Sequence, residues 1–201
     1  MSKNYIHKFD KQAEKYERMR HHNLMKKYRP LIFRDAEGEV LECAIGVGNN
    51  FLYYDNVEKV TGVDFSREML KFAKQEAAKY PFHTELLEAD IETLHFEADS
   101  FDTIVSSLSF CGYEHPVKVL NQLSVWCRPG GKILLMEHGI SRKKPLSAVQ
   151  KLIDPLSLKV VGCHQNRNIE SVVKQSNLKI ERIERFALEC VYLIWASPWN
   201  K

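Results

Sequence analysis

The chain of 201 residues has no C-x-x-C pair, no internal repeat, no low-complexity tract and no apolar run near the roughly 18 residues that suggest a membrane span. Each absence removes a class of protein. The five cysteines (Cys43, Cys111, Cys127, Cys163 and Cys190) are odd in number and scattered, so neither a disulfide framework nor a zinc site is indicated. They read as reduced thiols, mostly in the core. His21, His22, His115, His138 and His164 show no recognised ligand spacing, so no metal is expected. The start, MSKNYIHKFDKQ, is too charged for a secretory signal, and the default expectation is a cytoplasmic protein. No linker divides the chain, which leads to the expectation of one domain over 1–201: a helical arm at 1–34, a core at 38–140, and a substrate-side segment with a hairpin at 141–201.

What is present is uneven charge. The net charge is only +3, yet residues 1–34 hold ten Lys/Arg against three acids, Asp10, Glu14 and Glu17. Ile6, Phe9, Tyr16, Met19, Leu24, Met25 and Tyr28 are interleaved with them. Such an arm suits either a lid with a solvated basic face or peripheral contact with an anionic membrane, and the general behaviour of charge runs favours the lid. No nucleic-acid-binding signature is present, and no nucleic-acid partner is expected.

Apolar runs that suit strands lie at 40–43, 60–63, 83–88, 101–108, 132–136, 179–186 and 190–196. Helical periodicity falls within 3–34 and at 49–55, 66–79, 116–127 and 169–176, with Ser66 as an N-cap and Glu68 in the first turn behind it. The stretch from 137 to 168 reads as a loop rich in charge and proline. This alternation predicts an α/β fold: a seven-stranded, mostly parallel, doubly wound sheet, with an antiparallel C-terminal hairpin and an N-terminal helical lid. Ligands in such sheets sit beyond the carboxyl ends of the strands, which directs attention to the residues after Cys43, Val63, Glu88, Leu108 and Met136.

The first of these tips, Ala44-Ile45-Gly46-Val47-Gly48, lacks the third glycine of a dinucleotide fingerprint, and no Lys-Ser/Thr follows to grip phosphate. Asp64 ends the second strand, sixteen residues past Gly48, where a carboxylate can accept from both hydroxyls of a ribose. Phe65 can lie against an adenine, and Asp90-Ile91 at the third tip can read its amino group beside an apolar wall. Ribose and adenine recognition without a phosphate grip describes S-adenosylmethionine better than NAD or ATP.

The residues also resemble a family, the class I S-adenosylmethionine-dependent methyltransferases, which are Rossmann-like. VLECAIGVGNN is similar to their first motif and VTGVDFSREML to the second-strand motif. EADIETLHFEADSFDTIVSSLSF is similar to the third and fourth, and RPGGKILLMEHG to the fifth. The resemblance implies that Glu42, Ala44, Gly46 and Gly48 shape the loop around the methionine moiety, with Asn49 and Asn50 presenting amides. It further implies that Asp64 holds the ribose, that Phe65, Met69 and Ile91 sandwich the adenine, that Asp90 reads its amino group, and that Ser106 borders the sulfonium. Phe65 and Met69 also suit a core role. Ala44 stands where the family has glycine, and its methyl group narrows the approach to the methionine part.

FDKQAEKYERM resembles the lead-in of ubiquinone and menaquinone C-methyltransferases, in which Tyr16 would help to close the cofactor site. Beyond the fifth strand, MEHG…DP…GCHQNR resembles the methyltransferase-like alkyl thiol methyltransferases, a branch of the quinone and phospholipid methyltransferase group. That likeness implies catalytic candidates His138, Asp154, His164 and Arg167, and a small-molecule acceptor. A thiol is favoured, with a quinone or phospholipid as alternatives; a cofactor-binding regulatory protein without turnover is the reading from another class. The expected product is S-adenosylhomocysteine. Oligomeric state is not legible.

Overall fold

The computed structural model describes residues 3–20, 22 and 24–199; His21 lies outside them. Seven strands form one sheet: β1 Glu37–Cys43, β2 Asn56–Asp64, β3 His83–Glu88, β4 Phe101–Ser107, β5 Cys127–His138, β6 Leu178–Phe186 and β7 Val191–Pro198. Their order is β3-β2-β1-β4-β5-β7-β6. The first five are parallel, and β7 runs antiparallel to both its neighbours. The expected fold class is borne out, and its geometry follows from the connections. A parallel crossover needs a dozen residues or more, whereas only 187–190 separate β6 from β7, so that pair is a hairpin.

The central strands carry apolar residues on both faces, as a covered parallel sheet requires. One face packs around Leu41, Ile104, Leu120, Leu123, Leu135 and Ile194. The other packs around Phe33, Val40, Phe51, Val60, Val105, Leu134 and Leu193. Because the chain order reverses between β1 and β4, their carboxyl ends diverge and leave a crevice there.

Among the described residues five α-helices flank the sheet: α1 Lys3–Arg18, α2 Arg67–Ala77, α3 Pro116–Trp126, α4 Lys144–Val160 and α5 Ile169–Lys174. Ser66 caps α2 as its sequence position implied, accepting from the Met69 amide at 3.2 Å. Three readings need correction. The stretch at 144–160 is a helix, not a loop: Pro145 sits in its first turn, where no N–H is needed, and Pro155 is accommodated within it. The helix expected at 49–55 is only a 3₁₀ turn, Phe51–Tyr53. Within 3–34 a single α-helix is followed by three short 3₁₀ turns.

Candidate active site

The crevice at the β1/β4 switch point holds a cavity of about 250 Å³, bounded by the tips of β1, β2, β4 and β5 and by α1. Its first wall is the loop after β1. Ala44 lies at φ +50°, in the left-handed region that a Cβ disfavours by roughly 1–2 kcal/mol. The neighbouring chain holds the loop in place: the Ile45 amide donates to Val63 O at 3.0 Å and the Gly46 amide to Asp64 Oδ2 at 2.8 Å. Relieving the strain should help. Ala44→Gly is expected to raise folding stability by about 0.5–1 kcal/mol after allowing for the freer unfolded chain, read as a higher thermal midpoint with tighter cofactor binding.

Asp64 organises the second wall. Its Oδ1 accepts from the Ser66 amide at 2.8 Å while Oδ2 accepts from Gly46, which fixes the carboxylate at the edge of the cavity. Burial pushes this carboxyl up to about 6, against those backbone hydrogen bonds. Beneath it, Glu42 accepts from Asn50 Nδ2 at 2.7 Å and from Tyr54 Oη at 2.5 Å, and burial pushes it up to about 7. Arg29, buried and unmarked in the sequence reading, donates to Asn50 Oδ1 and, at 3.0 Å, to Ser107 Oγ. Asn49 lines the cavity and its buried Oδ1 has no partner. Acceptors and carboxylates thus face a space suited to a cofactor that carries both a sulfonium and an ammonium.

Helix α1 is the roof. Phe9, Asp10, Ala13 and Tyr16 of the FDxxAxxY pattern recur at helical spacing, so they share one face and turn inward together. Phe9 meets Phe65 edge-on at 5.3 Å, Asp10 Oδ1 accepts from Ser66 Oγ at 2.6 Å, Ala13 packs on Val47 and Met69, and Tyr16 lines the cavity. Two bonds tie the roof to the end of α4: Tyr5 Oη donates to Gly162 O at 2.6 Å and Lys8 Nζ to Lys159 O at 2.7 Å. Gly112 makes room for Tyr5, since a Cβ there would meet the phenol oxygen at 2.6 Å. Tyr5→Phe should therefore loosen the roof by roughly 0.5–1.5 kcal/mol. Stopped-flow release of the cofactor should be faster, with little change in overall melting.

On the fourth side, His138 at the end of β5, Cys111 in the β4–α3 loop and Cys163 after α4 line the cavity. The Cys163 thiol is pulled down by a hydrogen bond from Cys111 and then by His138, while Cys111 is pushed up correspondingly. Glu137 is buried at the same strand end and raised by burial to about 7. It accepts from Ser106 Oγ at 2.8 Å and from the amides of Ser109 at 3.3 Å and Phe110 at 3.2 Å, and so holds the loop that carries Cys111.

Of the catalytic candidates, His138 alone lines the cavity. Asp154 and His164 pair at 2.9 Å, and Asp154 Oδ1 also accepts the amides of Gln165 at 2.6 Å and Asn166 at 3.2 Å. Arg167 Nη1 donates to Phe110 O at 2.5 Å and Tyr113 O at 2.7 Å. These three stand behind the wall and brace it. Of the cofactor candidates, Tyr16, Glu42, Ala44, Gly46, Asn49, Asn50, Asp64, Phe65 and Met69 line the cavity. Gly48, at φ +78°, turns the loop behind it, and Ser106 is spent on Glu137 and Ser109. Asp90 caps its own turn through the Glu92 amide at 3.1 Å, and Ile91 is buried in the core beside it. Tyr5, Phe9 and Arg29 line the cavity without having been singled out for it; only the FDxxAxxY pattern, which contains Phe9, was a signal.

The family described as "Methyltransferase domain" matches residues 41–135. The phosphatidylethanolamine N-methyltransferase of Cereibacter sphaeroides is 31% identical over 145 residues, 71% of this chain and 71% of that one. The thiol S-methyltransferase TMT1B of Rattus norvegicus is 27% identical over 180 residues, 86% of this chain and 73% of that one. Among solved structures, the geranyl diphosphate C-methyltransferase of Streptomyces coelicolor A3(2), in complex with Mg²⁺, geranyl diphosphate and S-adenosyl-L-homocysteine, has the same fold. Its TM-score is 0.71 at 12% identity, covering 88% of this chain and 80% of that one. A carboxylate-lined cavity at the switch point of a 3-2-1-4-5-7-6 sheet, joined to these likenesses, fixes the class of the enzyme and its cofactor: the chain belongs to the class I S-adenosylmethionine-dependent methyltransferases.

Proposed function

We propose that the acceptor is a small lipophilic thiol. The observation that carries this reading is the chemistry of the acceptor wall. Cys111, His138 and Cys163 offer two soft sulfur atoms and an imidazole set among Tyr5 and Phe9, and both oxygens of Glu137, at the same strand end, are engaged by the loop. An amine acceptor, cationic before it reacts, would find no free carboxylate on that wall. The rat relative, a thiol S-methyltransferase, supports the same choice.

When bound, S-adenosylmethionine supplies an electrophilic methyl group, so the residues need only position the acceptor and remove its proton. Asp64 would hold the ribose, Glu42 and the Ala44–Gly46 loop would bound the methionine part, and α1 would exclude water. Arg167 and Glu137 brace the loop that presents Cys111. Purified protein with labelled cofactor and a panel of alkyl and aryl thiols should yield labelled thioethers. Transfer to quinones or phosphatidylethanolamine, with none to thiols, would replace this reading by the lipid one.

A second observation bears on where the acceptor comes from. Helix α4 exposes Val149, Leu152, Ile153, Leu156 and Val160 along one face, with Leu152 81% and Leu156 65% exposed. Arg142, Lys143, Lys144, Lys151 and Lys159 surround them, also exposed. An apolar face rimmed by cations complements an anionic bilayer surface, in the way of interfacial amphipathic helices. The helix ends at Val160, and Val161, its C-cap, lines the cavity. We read α4, more than the basic arm, as the contact through which a lipophilic acceptor passes from the membrane surface to the site. Among the described residues no helix is long and apolar enough to cross a membrane.

A further inference from the structure

Cys111, His138 and Cys163 are 27 and 25 residues apart in sequence and belong to three different elements. Their sulfur atoms and ring nitrogen nevertheless lie within 4.8 Å of one another. Two thiols and an imidazole, with no carboxylate among them, form a donor set that suits zinc and rejects magnesium or calcium. Zinc bound at about 2.3 Å to sulfur and 2.0–2.1 Å to nitrogen would draw the three ligand atoms to roughly 3.5–3.8 Å apart, a shift within the reach of small side-chain adjustments. The two cysteine loops are already coupled, the His164 amide donating to Cys111 O at 3.1 Å, and Ser157 Oγ of α4 holds the Cys163 carbonyl at 2.9 Å. All three side chains also face the cavity, which leaves the fourth tetrahedral direction open. Three protein ligands with one open position distinguish catalytic zinc from structural zinc.

We propose that Cys111, His138 and Cys163 bind a zinc ion whose fourth position is taken by the acceptor thiol. The first half stands on the geometry alone; the second rests on the thiol reading above. On metal binding the two cysteines release their protons to solvent and His138 coordinates as the neutral imidazole. The incoming thiol then loses its S–H proton to water as its sulfur bonds to the metal, which leaves a thiolate held beside the cofactor pocket.

Cobalt(II) reports such a site directly. Titrated into the reduced 201-residue chain with S-adenosylhomocysteine present, it should bind one to one with thiolate-to-metal charge-transfer absorption and be displaced by zinc. Cys111→Ser and Cys163→Ser should each weaken binding about a hundredfold or more, with circular dichroism melting and S-adenosylhomocysteine affinity retained. A small alkyl thiol added to the cobalt form should shift its visible bands. Absence of stoichiometric uptake, or uptake that survives in the double-serine variant, overturns the site. Uptake without any response to thiols leaves the metal site standing and overturns the fourth-ligand assignment. Thiol methylation at full rate after chelation, with no metal retained, overturns the metal's role while upholding the proposed function.

Discussion

Replacing Asp64 with alanine is expected to weaken S-adenosylmethionine binding about 10- to 150-fold, as measured by calorimetry. In the proposed site the carboxylate accepts from the ribose hydroxyls, and hydrogen bonds to a charged group contribute roughly 1.5–3 kcal/mol. The same side chain holds the Gly46 and Ser66 amides, so its loss also frees the loop that bounds the cofactor. Asn is a poor replacement: one of its termini is an NH₂ donor, and whichever way the amide turns, that donor confronts a backbone N–H. Unchanged affinity in Asp64→Ala, in protein shown by circular dichroism to be folded, would displace the ribose from this position.

A pH dependence follows from the same residue. Its carboxyl is raised from 3.8 to about 6 in the fold. The stability this gives is therefore complete below the unfolded value and is lost as pH rises through about 6. Cofactor binding should run in the opposite direction, because ribose donors and a cationic ligand favour the ionised form. Affinity should fall as pH is lowered through 6, with proton release on binding near that pH, and Asp64→Asn should flatten this part of the profile. A profile that stayed equally steep in the variant would transfer the effect to Glu42.

The second large effect is expected at α4. In Leu152→Glu/Leu156→Glu, partition onto vesicles rich in phosphatidylserine should drop by two orders of magnitude or more. Burying each leucine in an apolar environment contributes roughly 1.5–3 kcal/mol. Both side chains are exposed already, so the melting temperature should hold. Lys143→Glu/Lys151→Glu should weaken binding less, by about 1 kcal/mol for each lysine removed, and that part should vanish in high salt. Vesicle flotation at two salt concentrations separates the contributions. If the wild-type chain stays off vesicles and instead runs as a dimer that the leucine substitutions dissociate, the face belongs to a second copy.

Much of the fold was legible because its signals are local. Apolar strand runs, the Ser66 cap and the short 187–190 turn each act over a few residues, and together they require a doubly wound sheet with a terminal hairpin. Helix α4 was missed because the charge and proline of 137–168 read as a loop; at the first turn Pro145 breaks nothing, and Pro155 is accommodated within the helix. The cofactor wall was legible through a spaced motif on one βαβ unit, so Glu42, Ala44, Gly46 and Asp64 fall together. Arg29 carried no motif; only its burial against Asn50 and Ser107 marks it.

By itself the sequence determined the strand and helix alternation, the Ala44–Gly48 loop with alanine where the family has glycine, and the acidic end of β2, since each depends on neighbouring residues; that Ala44 sits at φ +50° came from the structure. Tertiary structure alone decided which side chains share the cavity wall at the tip of β5. Cys111, His138 and Cys163 are brought together by the β4–β5 pairing and by the return of the chain after α4, and no rule of local spacing connects residues 27 and 25 positions apart. It likewise decided that Asp154, His164 and Arg167 brace the wall, because a side chain's role there depends on which loop carbonyls and amides the fold presents to it.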